Sequence, residues 1–132
     1  MNPSPLFRQV LIHKAIGHPA RLRILAMLRP AELCVCQIKA VLQLAASTVS
    51  AHLAEVKAAG LVEERKAGRW VHYRLSALGL LTLQGVWDAI AADPTVADDR
   101  RLLAALASIP VEAVCRPDFD LRRTVDSQEC CR

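Results

Sequence analysis

Residues 34–60 read CVCQIKAVLQLAASTVSAHLAEVKAAG. The spacing predicts two helices separated by a tight break. Cys34 to Leu42 forms the first and shorter one, and LAAS (44–47) supplies the break. The second runs from Ala46 to Ala59, with Val49, Leu53 and Val56 falling on one face at helical spacing. Gly60 follows where a left-handed residue closes a helix. Away from that apolar stripe lie Ser47, Thr48, Ser50 and His52, with Lys57 further along. Small hydroxyl groups at a helix N-terminus approach phosphates and base edges closely, aided by the helix dipole. The pair of helices therefore has the form of a helix-turn-helix whose second member reads DNA.

Working outward, Pro3 and Pro5 open a first helix over Leu6–Ile16, which offers Phe7, Val10, Leu11 and Ile16 for burial. Gly17 ends it, and Pro19 starts a second helix that stops before Pro30. Downstream the period changes. Leu61–Lys66 and Trp70–Leu75 read as the two strands of a hairpin, with Val71, Tyr73 and Leu75 alternating against Trp70, His72 and Arg74. Its tip and flanks are basic through Arg65, Lys66, Arg69 and Arg74, placed to reach the backbone or minor groove of flanking DNA. A long fifth helix is expected over Ala77–Ala91, burying Leu80, Leu83, Trp87 and Ile90. Asp93–Pro94 breaks it, a sixth helix covers Asp98–Ser108, and the residues after Pro110 read as an extended tail. The expected fold is mainly α with a small β-hairpin, a winged helix-turn-helix in a helical dimer. Residues 1–108 form the DNA-binding and dimerisation domain, and residues 109–132 form a tail carrying Cys115, Cys130 and Cys131.

Composition agrees. A chain of 132 residues holds one core, and 53% apolar content with only 4% aromatics favours helices. Residues 1–75 carry 11 Lys/Arg against 4 Asp/Glu, whereas residues 76–132 carry 6 against 9. A basic first half suits phosphate binding, although an ordinary solvated face has the same composition. The start MNPSP lacks the basic region of a signal peptide, and Leu75–Ala92 is interrupted by Gln84 and Asp88, so a cytoplasmic protein without a membrane span is expected. In that reducing compartment the five cysteines are expected as metal ligands or redox groups rather than structural disulfides. No paired catalytic carboxylates, phosphate-binding glycine loop or nucleophile–base spacing is present, so an enzyme is not expected. His52 has two readings, DNA contact or packing between helices. Thr48 and Ser50 are open to a purely local hydrogen-bonding role.

The segments HPARLRIL (18–25), ELCVCQI (32–38), STVSAHL (47–53), AGLV (59–62) and RWVHYRL (69–75) occur in an order and spacing that resembles the ArsR/SmtB family of metalloregulatory repressors. The likeness spans about residues 6–91 and implies a homodimer, joined mainly through the first and fifth helices. It also implies binding to double-stranded operator DNA and release when a metal ion binds. ELCVC resembles the arsenic-responsive branch, which implies As(III) or Sb(III) as inducer on Cys34 and Cys36. Thiolates select such soft ions. In a regular helix two positions two apart point about 200° apart and do not share one ion. Either the pair lies at the first turn or binding unwinds that turn, and distorting this helix moves the DNA reader. Two buried free cysteines remain the plain alternative.

The best-known arsenic-responsive members carry a third cysteine just beyond this pair, and QIK (37–39) has none. The third thiolate must come from Cys115 or from Cys130–Cys131, and Cys115 is the favoured candidate. The family's other site needs histidines on the fifth helix, which has none, so His13, His18 and His72 are read as structural or exposed. A Cd/Pb-responsive or thiol-redox-responsive repressor uses the same cysteines. A thiol oxidoreductase fits neither the Cys-x-Cys spacing nor the helical pattern, and a metal carrier needs no basic hairpin.

Overall fold

The computed structural model describes residues 3–130. Helix α1 (Pro5–Ile16) starts at Ser4, whose hydroxyl accepts from Phe7 N. Helix α2 (Pro19–Leu28) starts at His18, whose Nδ1 accepts from Ala20 N. Proline at the first position of each helix costs nothing, because that N–H has no helical partner. A two-residue strand, β1 (Leu33–Cys34), leads into α3 (Val35–Leu42). Gln43, in the left-handed conformation at φ 55°, turns the chain into α4 (Ala46–Ala58). Gly60, at φ 80°, then releases it into the hairpin of β2 (Val62–Ala67) and β3 (Trp70–Leu75). The hairpin turns through Gly68 at φ 60°, which no β-branched side chain would tolerate.

The wing is a three-stranded antiparallel sheet rather than a two-stranded hairpin, with β1 on the outer side of β3. Leu33 pairs with Tyr73 and Cys34 with His72. Two residues are too few to show alternation in a sequence, which is why this strand is invisible there. Ile24, Leu25, Ile38, Val49, Leu53, Val56 and Leu61 pack together as the centre of the core, so the predicted apolar face of α4 is the buried one.

Four further expectations are corrected. The long fifth helix is two, α5 (Ala77–Thr82) and α6 (Gln84–Ile90), interrupted at Leu83 between the poor helix formers Thr82 and Gly85. The sixth helix begins earlier, as α7 (Pro94–Leu106), because Asp93 caps it by accepting from Thr95 N and Val96 N. Asp-Pro is here a helix start and not a breaker. The tail is not extended: α8 (Val111–Val114) and α9 (Leu121–Cys130) fold back, burying Val114, Leu121 and Val125 in the main core. Salt bridges Arg122–Asp98 and Arg101–Glu129 tie α9 to α7. Last, Phe7, Val10 and Leu80 are exposed rather than buried, together with Leu6, Leu78 and Leu81.

Candidate thiol site and nucleic-acid interface

Cys34 sits one residue before the helix, in extended backbone at φ −85° and ψ 162°, and its N–H donates to Gln37 Oε1 at 2.9 Å. Cys36 lies just inside the first turn of α3. The pair therefore straddles the helix boundary, and the divergence of side chains in a regular helix does not apply. Cys115 caps the C-terminus of α8, which packs on α3. Cys36 and Cys115, 79 residues apart in sequence, are joined as a disulfide with Cα atoms 5.2 Å apart. The Sγ atoms of Cys34, Cys36 and Cys115 all lie within 4.8 Å of one another. Cys34 is buried, whereas Cys36 and Cys115 are half-buried beside one another. A groove of about 370 Å3 opens onto Cys36 between Lys39, Gln43, Arg116 and Asp120, giving a small solute a way in. Cys130 is exposed at the end of α9, and Cys131, like residues 1–2, lies outside the described residues.

The arm that brings Cys115 to this place is anchored deep in the protein. Arg23 of α2 grips Asp99 of α7 with two hydrogen bonds of 2.8 Å, and Asp99 is almost fully buried. The Asp99 hydrogen bond and charge hold the Arg23 guanidinium above its ordinary pKa. Asp98 bonds Arg122 and Arg101, and the Arg122 bond holds its carboxyl below the usual range.

On the prospective DNA face, Ser47, Thr48 and Ser50 are exposed along the first turns of α4. His52 is half-buried, accepting from Arg21 Nε at 3.3 Å through Nδ1 and lying 4.5 Å from the His18 ring, so His18 is no lone residue. Burial, followed by the charges of His18 and Arg21, pushes the His52 pKa down. Lys57 bonds Glu64, which also accepts from Tyr73 Oη at 2.9 Å. The Tyr73 bond lowers the Glu64 pKa, while burial and Glu64 push the Tyr73 phenol up to about 12.

The wing cations fall into two groups. Arg65 grips Glu32 and Arg74 grips Glu63, each at 2.9 Å, so their charge is matched within the protein. Lys66 and Arg69 form no ion pair among the described residues; Arg69 lies over the ring of Trp70. Glu32, Arg21 and Glu64 take part in these arrangements without having been singled out in the sequence. Glu32 stands directly before β1, and a carboxylate next to a thiol pair opposite a basic strand was the available signal.

Residues 18–64 match a protein-family model described as bacterial regulatory protein, arsR family. The chain is similar to the arsenic resistance transcriptional regulator ArsR1 of Pseudomonas putida, with 38% identity over 78 residues that cover 55% of this chain and 61% of that protein. It thus spans less than two thirds of that relative's length. Against the HTH-type transcriptional repressor SmtB of Mycobacterium tuberculosis it is 35% identical over 94 residues, covering 67% of this chain and 68% of the repressor. Among solved structures it resembles the homodimeric winged helix-turn-helix DNA-binding domain Mb0332 of Mycobacterium bovis at TM-score 0.58 and 30% identity, covering 65% of this chain and 80% of that one. The shared architecture is a winged helix.

Proposed function

This chain belongs to the arsR family of bacterial regulatory proteins, and on that premise we propose that it is a transcriptional repressor released from operator DNA when As(III) or Sb(III) binds Cys34, Cys36 and Cys115. The observation that carries the reading is the convergence of these three sulfurs in a single chain. With the Cys36–Cys115 pair reduced, arsenous acid condenses with three thiols: three As–S bonds form, three As–O bonds break and three waters leave. Soft sulfur donors suit trivalent arsenic and antimony. Three donors without a fourth His, Cys or carboxylate in the cluster among the described residues suit the lone-pair trigonal pyramid of As(III), Sb(III) and also Pb(II) better than the four-donor shell of Cd.

Binding shifts the start of α3, because Cys34 and Cys36 must reorient about one atom shared with Cys115. Because α3 packs on α4, and Cys34 is hydrogen-bonded within the wing sheet, both DNA-facing elements move with it. Release follows if the ion prefers the displaced arrangement, since a ligand shifts an equilibrium only by its differential affinity. DNA is held by α4 through Ser47, Thr48, Ser50, His52 and Lys57 and by the wing through Arg65, Lys66, Arg69 and Arg74. The exposed apolar residues of α1 and α5, with Leu6 78% and Leu81 69% accessible, are the surface on which a second copy docks.

The test uses the reduced protein on a duplex selected from a random-sequence library, followed by fluorescence anisotropy. Arsenite is expected to release the wild type and to leave Cys34→Ser and Cys36→Ser bound. Equal release of either variant overturns the site. The Cys36–Cys115 disulfide favours a second reading, in which oxidation of that pair is itself the signal; release by diamide and not by arsenite would establish it.

A further inference from the structure

We propose that Arg21 is a positioning residue that locks His52 in the tautomer carrying its proton on Nε2, so that α4 presents a hydrogen-bond donor to an acceptor atom of DNA. The inference rests on the reading of α4 as the DNA-contacting helix. Arg21 is itself held from behind, since its Nη1 donates to the carbonyls of Lys14 and Ala15 at 3.0 and 3.1 Å, where α1 ends. Its Nε–H points to His52 Nδ1. An arginine guanidinium only donates and stays charged at any physiological pH. Nδ1 must therefore supply the lone pair, and a neutral ring then has its proton on Nε2.

The neighbouring ring is fixed in the same sense. His18 Nδ1 accepts from Ala20 N at the start of α2, which leaves its proton on Nε2 as well. Nε2 of His52 has no partner among the described residues, and none of their side-chain polar atoms is both buried and unpartnered. The free N–H of His52 is thus open to solvent, on the helix that carries Ser47, Thr48 and Ser50. Burial first, and then the fixed charge of Arg21, hold the His52 pKa below its ordinary value and favour the neutral ring. A neutral Nε2–H donates to guanine N7 or O6, adenine N7, thymine O4 or a phosphate oxygen. It does not accept from the amino groups of cytosine or adenine. Arg21 would thereby decide what His52 selects without touching DNA.

The tautomer is read directly in the full-length protein by long-range 1H–15N correlation of the imidazole nitrogens. The wild type is expected to show an unprotonated Nδ1 and a protonated Nε2 at His52, and Arg21→Met a mixture of tautomers. A protonated Nδ1 in the wild type, or an unchanged pattern in Arg21→Met, overturns the role of Arg21 whatever the DNA result. On the selected duplex, His52→Gln, whose amide reaches the Nε2 position, is expected to keep more of the wild-type affinity than His52→Asn. His52→Asn, which reaches only Nδ1, is expected to lose about tenfold. Equal affinity of these two variants, with the tautomer as expected, overturns the DNA contact. Replacing the duplex phosphates singly by methylphosphonate and its purines by 7-deaza analogues identifies the acceptor as backbone or base. Sensitivity to neither in a wild type that differs from His52→Asn also overturns the contact. A wild type that binds no duplex at all removes the reading of α4 and leaves the tautomer result standing.

Discussion

Cys34 pairs in register with His72 across β1 and β3, so the buried thiol of the cluster belongs to the same hydrogen-bonded ladder as the wing. Two residues earlier, Glu32 reaches Arg65 on β2, and its carboxyl is held below the usual range by that bond. The start of α3 is therefore attached at once to the wing, through β1, and to the reading helix, through helix packing. On the proposed function, a ligand that shifts Cys34 acts on both α4 and the wing, with no separate relay.

The two kinds of wing cation are expected to differ in how they sense salt. Lys66→Ala and Arg69→Ala should each reduce the slope of log K against log salt by about 1, because their charge is free to displace counterions. Arg65→Ala and Arg74→Ala should change it less, since Glu32 and Glu63 already match those charges. Anisotropy titrations over a range of potassium chloride check this. Equal slopes for all four variants would count against it.

Asp99→Asn is expected to destabilise the protein by about 2 kcal/mol, because it leaves Arg23 without its countercharge in a largely buried setting. That corresponds to a fall in Tm of roughly 6 °C, measured by calorimetry. Since α7 leads into α8, arsenite affinity should fall more in this variant than in Glu129→Gln, whose bond to Arg101 is exposed.

The sequence carries the winged helix plainly, because Val49, Leu53 and Val56 mark the reading helix and Val71, Tyr73 and Leu75 mark the wing. The C-terminal arm is harder to read. Helix α9 buries only Leu121 and Val125 in an otherwise polar stretch, and its hold on α7 comes from ion pairs that have no sequence period. Phe7, Val10 and Leu80 read as core residues in the sequence because apolar spacing along a helix does not by itself tell a buried face from an exposed one. Cys115 emerges as a candidate by elimination, but its distance from Cys36 depends on the fold of the whole arm.

Charging the exposed apolar surface is expected to break the dimer. Leu6→Glu and Leu81→Glu should shift the sedimentation coefficient toward that of a monomer and lower DNA affinity, while the circular dichroism of each chain stays helical. An unchanged sedimentation coefficient would mean that the copies meet elsewhere.

His52 gives the stability a defined dependence on pH. Its folded pKa lies below the ordinary value of about 6.5, so in acid the unfolded chain takes up a proton that the folded chain resists. Stability is expected to be complete above about pH 6.5 and to decline as the pH falls through and below it. His52→Gln should flatten that part of the profile in urea titrations, and a profile identical to the wild type would contradict the assignment.

The central claim, that Cys34, Cys36 and Cys115 supply the three sulfurs of the inducer site, is tested most directly by arsenic K-edge absorption on the reduced protein loaded with arsenite. The account predicts three sulfur neighbours around each arsenic in the wild type, with loss of one in Cys115→Ser and no change in Cys130→Ser. A full three-sulfur shell that survives in Cys115→Ser would contradict it.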